Sequence, residues 1–385
     1  MQLVDQIKSD FQELFGSQPE LIVKSPGRIN IIGEHTDYNN GFVLPAAIDK
    51  SVYIGVSRRD DNHIELFSVD YKERYQTDID SLTFGPELWT NYILGATRIL
   101  RKTHSVIGGF NLIVAGDVPL GAGLSSSAAL TCATSFALDK LFQLQLSRLD
   151  IAKIGQKTEH EAVGVRCGIM DQFASVFGKE NNLIKLDCRS LEYEYIPIVL
   201  ENYEILLLNT NVKHSLASSA YNKRREACEA AVALVQQKYP SVSSLRDISI
   251  SQLEEMVQPI SAEYFQKAKF VVEENQRLLN ATDALKSNDI SQLGHLLYDA
   301  NWALSKEYEV SCPELDFLVS TVATLPEVAG ARMMGGGFGG CTINIVKKGK
   351  SQTVIEKISS LYFDRFQLNL TPIQVSISDG TQVIL

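Results

Sequence analysis

The order of a strand, a turn of small residues and a helix near residue 121 constrains this chain more than any other feature. An apolar run at 112–115 precedes the turn Gly121-Ala122-Gly123-Leu124-Ser125-Ser126-Ser127, and strong helix formers follow it. Such a turn presents the unpaired N–H groups of a helix start to an anion. Serine hydroxyls in the turn can add hydrogen bonds or hold a magnesium ion. The segment therefore predicts a site for the phosphates of a nucleotide such as ATP.

Two common nucleotide-binding motifs do not fit this turn. Leu124 stands where a P-loop requires a lysine. The dinucleotide fingerprint needs a third glycine and an acidic ribose ligand downstream, and both are missing. A structural turn with a serine helix cap is the ordinary alternative. Three consecutive serines and a second glycine cluster at 335–340 favour the phosphate site over that alternative.

Composition limits the class of protein. The 385 residues, 45% of them hydrophobic, are enough for a packed core and for two domains. The net charge of −10 argues against a nucleic-acid partner, whose binding surface would be basic. The six cysteines form no C-x-x-C pair, which predicts reduced thiols. With no signal-like start and no apolar run of about 18 residues, we expect a cytoplasmic monomer without a membrane partner.

Apolar periodicity predicts a mixture of helices and strands. The predicted helices are 3–15, 89–104, a helix from the serine turn to about 142, 147–164, most of 217–308, and 351–363. The predicted strands are 20–32, 42–57, 111–116, 183–186, 203–208, 341–347 and 372–378. We expect an α+β protein of two domains, 1–195 and 196–385, with the helical segment 217–308 in the second.

A dense polar cluster at 25–38 has the composition of a sugar-binding loop. Glu34, His35 and Asp37 offer acceptors and a donor within four residues. Carboxylates that bind pairs of hydroxyls distinguish sugars, because a misplaced hydroxyl leaves a buried charge unpaired. A solvated turn with two acids is the alternative. A metal site at His35 and Asp37 is weaker, since no second histidine lies at ligand spacing.

Asp171 lies between apolar neighbours, in a segment that runs from Gly168 to Phe173. A buried acid is costly unless it is paired, so this residue is either a helix cap or a working group. As a working group it would accept or orient a hydroxyl proton, while Arg28 neutralises a transferring phosphoryl group. Glu159 falls on the preceding predicted helix. It could reach a magnesium ion held by Ser127, or remain a solvated helical glutamate.

A polar segment at 211–215 leads into a predicted amphipathic helix with its cap at Ser215 or Ser218. Tyr221 lies on this helix. A tyrosine in such a place is more often a core aromatic than a ligand contact.

Taken together, these motifs resemble those of galactokinases, which belong to a small-molecule kinase superfamily that also contains homoserine and mevalonate kinases. The segment from Gly27 to Gly41 is similar to the galactokinase signature. The segments 119–129 and 334–340 are similar to the phosphate loop and the third motif of the superfamily. Galactokinase-like residues also occur at 168–172 and 211–215. The matches follow the expected order over nearly the whole chain.

The resemblance implies a two-domain α+β kinase fold with mixed sheets, packed helices and an active site between the domains. It implies transfer of the γ-phosphoryl group of ATP to the anomeric hydroxyl of α-D-galactose, with Asp171 as catalytic base and Arg28 stabilising the transition state. The sugar would be bound by Glu34, His35, Thr36, Asp37 and Tyr221. The ATP phosphates would be bound by Gly121, Ala122, Gly123, Leu124, Ser125, Ser126 and Ser127. Mg²⁺ would be held by Ser127 and Glu159, and Ser68 and Trp89 match positions near the nucleotide.

Two other functions stay open at this point. One is a related sugar 1-kinase, for N-acetylgalactosamine or arabinose. The other is a non-catalytic galactose sensor, although sensor relatives lose residues of the phosphate loop and this chain keeps Ser127-Ala128-Ala129 and Asp171. Asp171 could act as a full base or mainly orient the hydroxyl. Asp117 occupies a loop position where many relatives carry a smaller or uncharged residue, and the sequence gives it no role.

Overall fold

The computed structural model describes residues 2–212 and 217–385, without the side chains of 217–219. The helix cap predicted at Ser215 or Ser218 therefore lies outside the described residues and side chains. Among the helices of the described ranges, none combines the length and the apolarity needed to cross a membrane.

The chain contains runs of strands and runs of helices, with a mainly helical stretch between β9 and β10. The strands are β1 (Leu21–Asn30), β2 (Phe42–Val43), β3 (Pro45–Arg58), β4 (His63–Ser68), β5 (Glu73–Asp78), β6 (Phe110–Gly116), β7 (Asn182–Asp187), β8 (Tyr193–Pro197), β9 (Tyr203–Asn209), β10 (Val328–Met333), β11 (Cys341–Lys347), β12 (Thr371–Val375) and β13 (Gln382–Val383). The α-helices are α1 (Gln2–Phe15), α2 (Leu88–Arg101), α3 (Ser126–Phe142), α4 (Arg148–Thr158), α5 (Met170–Phe177), α6 (Ala217–Gln236), α7 (Ile250–Met256), α8 (Ala262–Lys286), α9 (Ile290–Ala303), α10 (Pro313–Val322) and α11 (Ser351–Phe366). Two π-helical turns, Glu159–Val163 and Leu304–Tyr308, extend α4 and α9.

The strands form three sheets in the described residues. The first has six strands in the order β13-β1-β3-β6-β4-β5, the second has the order β10-β11-β9-β12, and the third the order β2-β7-β8. Pairing is antiparallel except between β4 and β6, which are parallel. Because β13 pairs with β1, the last residues of the chain return to the sheet that begins it. The division of the chain near residue 195 stays a prediction.

The predicted α+β class is confirmed, and most predicted elements lie within a few residues of the observed ones. The predicted strand 42–57 is wrong as one strand, because Leu44 separates β2 from β3 and the two belong to different sheets. The predicted helix 147–164 is α-helical only as far as Thr158. A π-helical turn follows, and Gly164 ends it at φ 81°, in the left-handed region that glycine tolerates.

Helix α3 lies at the centre of the first half of the chain. It packs against β1, β3, α2, α4 and α5, and nearly all of its side chains are buried. A helix that is apolar or small-sided all round is expected in such a buried position. Its alanines, serines and threonines let the neighbouring elements approach closely, and this packing fixes the position of its first turn.

Three buried hydroxyls join α5 to β1 and to the C-terminal segment. Ser25 Oγ lies 2.9 Å from Ser175 Oγ and 2.7 Å from Thr381 Oγ1. Ser175 Oγ also donates to the carbonyl of Pro26 at 2.7 Å. Since α5 carries Asp171 and β1 carries Arg28, these bonds set the distance between the two candidate catalytic residues.

Candidate active site

Arg28 and Asp171 form an ion pair. Arg28 Nε donates to Asp171 Oδ1 at 2.8 Å, and the side chains are 5% and 27% exposed. Arg28 also donates from Nη1 to the carbonyl of Gly123, and from its backbone N–H to the carbonyl of Leu124 at 3.1 Å. Asp171 Oδ2 accepts a bond from Ser125 Oγ at 2.7 Å. The carboxylate is therefore held from both sides beside the turn that precedes α3.

The turn before α3 has the backbone that its glycines allow. Gly121 and Gly123 both have φ 72°, and Ser125 has φ 59°. Ala122 and Leu124 are buried, so these two residues offer only backbone groups to a ligand. The first N–H groups of α3 have no partner within the helix, which makes this end of the helix suited to an anion.

Glu34 is buried and held by residues from both halves of the chain. Its Oε1 accepts bonds from Arg332 Nη2 at 3.0 Å and from the N–H of Gly335 at 2.7 Å, and its Oε2 accepts a bond from Asn30 Nδ2. Arg332 is fully buried and also donates to the carbonyls of Asn30 and Ile31. These contacts fix the carboxylate in one orientation.

His35 lies in an aromatic cluster. Its Nδ1 is 2.8 Å from the hydroxyl of Tyr38, which is 2.8 Å from the hydroxyl of Tyr308. The ring of Tyr221 lies 5.3 Å from that of His35, centroid to centroid. Burial lowers the pKa of His35 to about 3, so the imidazole is neutral near pH 7. Its Nε2 has no hydrogen-bond partner among the described residues.

Two further carboxylates approach Asp171. Burial, together with the negative charge of Asp171, raises the pKa of Asp37 to about 7 and the pKa of Glu159 to about 7. Asp37 packs against Gly168, where a Cβ would lie 1.9 Å from Asp37 Oδ2. Residue 168 must therefore be glycine for this carboxylate to keep its place.

Thr36, unlike the other residues predicted to bind the sugar, has its hydroxyl bonded within its own turn. It is buried, and its hydroxyl lies within hydrogen-bond distance of the carbonyls of Gly33, at 2.9 Å, and Phe42, which share its one proton. These bonds close the turn that carries Glu34, His35 and Asp37. Thr36 does not line the cavity formed by those residues.

Ser127 and Glu159 come together at the start of α3. Ser127 Oγ donates to Glu159 Oε1 at 3.3 Å, and Gln172 Nε2 donates to the same oxygen at 2.9 Å. A hydroxyl and a carboxylate are hard oxygen ligands of the kind that Mg²⁺ uses. No group of three or more acidic, histidine or cysteine ligands suited to a metal occurs in the described ranges.

Three cavities follow one another along the site. The inner cavity, about 170 Å³, is lined by Arg28, Glu34, His35, Asp37, Glu159, Val165, Cys167, Gly168, Met170, Asp171, Tyr221, Gly335 and Gly336. The middle cavity, about 280 Å³, lies on the turn before α3 and shares Arg28, Asp171 and Gly336 with the inner one. The outer cavity, about 450 Å³, shares Ser126 and Ser127 with the middle one. The three form one cleft with the ion pair between the inner and middle parts.

The outer cavity brings together the two residues predicted to lie near the nucleotide. Ser68 and Trp89 both line it, with apolar side chains such as Leu88 and Leu120. Trp89 Nε1 donates to Glu73 at 2.9 Å, which fixes the indole ring. An apolar cavity beyond a phosphate-binding turn is suited to a nucleobase.

Some residues of the site were missed in the sequence, among them Arg332, which contacts Glu34, and Cys167, which lines the inner cavity. Gly335 and Gly336, which also reach Glu34 or line that cavity, belong to the glycine cluster at 335–340 that the sequence analysis singled out. Asp117, which the sequence left without a role, accepts a bond from the backbone N–H of Ser51 at 2.7 Å, and so joins the end of β6 to β3.

Comparisons with known families agree with this geometry. The galactokinase galactose-binding signature matches residues 9–58, the GHMP kinase N-terminal domain matches residues 91–179, and the GHMP kinase C-terminal domain matches residues 281–364. A galactokinase of Thermotoga neapolitana is 42% identical over 363 residues, which cover 94% of this chain and 99% of that protein. A galactokinase of Clostridium beijerinckii is 40% identical over 389 residues and covers 100% of both chains.

Solved structures of kinases from the same superfamily also match this chain. The crystal structure of Lactococcus lactis galactokinase complexed with galactose matches with a TM-score of 0.94 and 34% identity, over 99% of both chains. Methanococcus jannaschii mevalonate kinase matches with a TM-score of 0.68 and 18% identity, over 93% of this chain and 98% of that one, which shows a shared fold. The chain therefore belongs to the galactokinase family of the GHMP kinases and is an ATP-dependent sugar kinase.

Proposed function

We propose that this protein transfers the γ-phosphoryl group of ATP to the anomeric hydroxyl of α-D-galactose, giving galactose 1-phosphate. The observation that supports this most is the position of the Arg28–Asp171 pair, which forms a shared wall of the inner and middle cavities. A hydroxyl in the inner cavity and a phosphoryl group in the middle one would meet at that wall. Phosphoryl transfer depends mainly on such positioning and on charge stabilisation.

In the proposed reaction the sugar lies in the inner cavity with its anomeric hydroxyl toward Asp171. The carboxylate orients this hydroxyl and accepts its proton as the bond from the hydroxyl oxygen to the γ-phosphorus forms and the bond from that phosphorus to the bridging oxygen of ATP breaks, which releases ADP. Arg28 lies between the carboxylate and the carbonyl of Gly123, where its guanidinium can stabilise charge on the transferring group. The loose transition state of phosphoryl transfer needs little deprotonation, so orientation is the larger part of the role of Asp171.

Sugar selectivity is assigned to Glu34, His35, Asp37 and Tyr221, all of which line the inner cavity. Glu34, fixed by Arg332 and Gly335, would accept hydrogen bonds from sugar hydroxyls. Neutral His35, with Nε2 free of a described protein partner, would bind another hydroxyl. A sugar with a hydroxyl in the wrong place would leave one of these buried groups unpaired, and this costs binding energy.

Nucleotide binding is assigned to the turn from Gly121 to Ser127 and to the outer cavity with Ser68 and Trp89. Ser127 and Glu159 would hold Mg²⁺, which neutralises phosphate charge when it is bound. We place the protein in the cytoplasm, since its six cysteines are free thiols, and we expect a monomer.

The test is an assay of ADP release with purified protein over galactose, glucose, talose, 2-deoxygalactose, N-acetylgalactosamine and arabinose. We expect turnover to be highest with galactose and to depend on Mg²⁺. Asp171→Asn should lower kcat at least about 10²-fold while ATP binding by calorimetry stays within about threefold. Galactose binding without ADP release would identify a sensor instead. Preference for N-acetylgalactosamine or arabinose would identify the related 1-kinase, and near-normal kcat in Asp171→Asn would remove that residue from its assigned role.

A further inference from the structure

Ser125 has a backbone conformation that serine rarely adopts. Its φ of 59° and ψ of 45° lie in the left-handed region, which disfavours any residue with a Cβ and which glycine would occupy without strain. It directly precedes α3, at the N-cap position. A serine there usually has an extended backbone and accepts a bond from an N–H of the first helical turn. Ser125 makes no such bond, so capping does not explain a serine at this position.

The Ser125 hydroxyl is bonded to the catalytic carboxylate instead. Ser125 Oγ donates to Asp171 Oδ2 at 2.7 Å, while Arg28 Nε donates to Oδ1 at 2.8 Å. Hydrogen bonds to an ionised group are among the stronger ones in proteins. With one donor on each oxygen, the carboxylate cannot rotate about its terminal bond without breaking one of them.

The same turn is also bonded to Arg28. The carbonyl of Gly123 accepts a bond from Arg28 Nη1, and the carbonyl of Leu124 accepts one from the backbone N–H of Arg28 at 3.1 Å. Three consecutive residues of this turn are therefore bonded to Arg28 or Asp171: Gly123 and Ser125 to the paired side chains, and Leu124 to the backbone of Arg28. The turn that would bind ATP and the pair that would act on the sugar are joined as one unit.

We infer that Ser125 is a positioning residue: its hydroxyl orients the Asp171 carboxylate and links that orientation to the nucleotide-binding turn. This inference rests on the proposed function, because it gives Asp171 the role described above. This positioning role differs from contact with a phosphate, which is the role expected of a serine in this turn. A hydroxyl carries one proton, so while Ser125 donates to Asp171 it cannot also donate to a phosphate oxygen. Each carboxylate oxygen accepts two bonds, so Oδ2 can still receive the sugar hydroxyl.

The test compares three single substitutions in the full-length protein. Ser125→Ala removes the hydroxyl and keeps the Cβ. Ser125→Gly also removes the hydroxyl but fits the left-handed backbone, so relief of backbone strain offsets part of the stability lost with the hydrogen bond, and its melting temperature should be at least that of Ser125→Ala. Ser126→Ala is the comparison within the same turn, since Ser126 lines the middle and outer cavities.

For both Ser125 variants we expect kcat to fall about 10- to 100-fold, the effect of losing one hydrogen bond to a charged group. The KM for ATP should stay within about threefold of the wild-type value. Ser126→Ala should instead raise the KM for ATP with a smaller change in kcat. A loss of kcat in Ser125→Gly cannot be assigned to misfolding if its melting temperature is preserved.

Two results would overturn the inference. One is a kcat within twofold of wild type in both Ser125 variants. The other is a raised KM for ATP at unchanged kcat, which would make Ser125 a phosphate ligand. Asp171→Asn separates this inference from the proposed function. If Asp171→Asn is inactive and the Ser125 variants are fully active, only the inference fails; if Asp171→Asn is active, the role proposed for Asp171 fails first.

Discussion

Replacing Arg332 by methionine tests how the buried carboxylate of Glu34, proposed to bind the sugar, is held. Arg332 and Glu34 are 0% and 1% exposed, and Nη2 of the arginine lies 3.0 Å from Oε1 of the glutamate. The same guanidinium donates to the carbonyls of Asn30, Ile31 and Met333. Methionine keeps much of the volume but removes every one of these donors.

The magnitude follows from the burial of both partners. Removing one member of a buried ion pair typically destabilises a protein by about 3–5 kcal/mol, because the other charge stays buried without compensation. Here Glu34 keeps two donors, Gly335 and Asn30, so we expect a loss near the lower limit, about 3 kcal/mol. The loosened carboxylate should also raise the KM for galactose about tenfold, which corresponds to about 1.4 kcal/mol. The KM for ATP should not change, since Arg332 does not line the middle or outer cavity.

Urea unfolding and steady-state kinetics measure the two effects. Arg148→Met is a control for the loss of carbonyl donors alone, because Arg148 is exposed, donates to the carbonyls of Val176 and Thr381, and does not line the cleft. This control should lose stability without a change in the KM for galactose. The double variant Glu34→Gln/Arg332→Met should be more stable than Arg332→Met alone, since it no longer buries an unpaired charge. The reasoning is refuted if Arg332→Met unfolds at the wild-type urea concentration, or if its KM for galactose matches that of Arg148→Met.

Three further predictions concern the walls of the cleft. Tyr221→Phe should raise the KM for galactose and weaken selectivity over other sugars more than it affects ATP; an unchanged KM for galactose would contradict this. Asp37 has a pKa raised from 3.8 to about 7, so its contribution to stability is lost as pH rises from about 4 to about 7. Asp37→Asn should therefore gain stability over wild type by about 2 kcal/mol between pH 5 and pH 7 in urea unfolding, with loss of galactose binding; a pH-independent difference would refute it. Asp117→Ala, which removes the acceptor for the Ser51 N–H, should cost about 1 kcal/mol of stability and leave the KM for ATP unchanged, whereas a raised KM would place Asp117 at the nucleotide.

Turns and helix ends could be predicted from the sequence where the neighbouring residues alone determine them. The turn at 121–127 stands between an apolar strand and a run of helix formers, and the structure places it between β6 and α3. Gly164 ends the helical stretch that begins at Arg148, as a C-terminal glycine does. In these places neighbouring residues decide the structure, so a reading of the sequence finds it.

The π-helical turn at Glu159–Val163 was not predictable in this way. A π-helical turn differs from an α-helix by the insertion of one residue, and no residue type in this segment requires it. What distinguishes Glu159 is its surroundings: it is buried and bonded to Ser127 and Gln172, which lie on two other helices. Such a site is set by tertiary contacts and carries no local signal.

The turn that carries Glu34, His35 and Asp37 also depends on tertiary contacts that leave no local signal in the sequence. Residues far along the chain hold it. The N–H of Gly33 donates to Glu274 Oε1 at 3.0 Å, and the N–H of Phe42 donates to Asn275 Oδ1 at 2.8 Å. Both acceptors lie on α8, more than 230 residues away in sequence. Nothing near residue 274 in the sequence indicates that it holds the backbone of this turn.

Position relative to the inner cavity therefore separates the residues of the signature into two groups. Glu34 and Asp37 line the inner cavity, whereas Thr36 and the two flanking glycines build the turn. At Gly41 a Cβ would lie 2.5 Å from Asn275 Oδ1, and at Gly33 a Cβ would lie 2.5 Å from Leu278. These glycines are needed because α8 approaches the turn so closely. A substitution there should displace Glu34 and Asp37 together, and so act on the sugar through the C-terminal half of the chain.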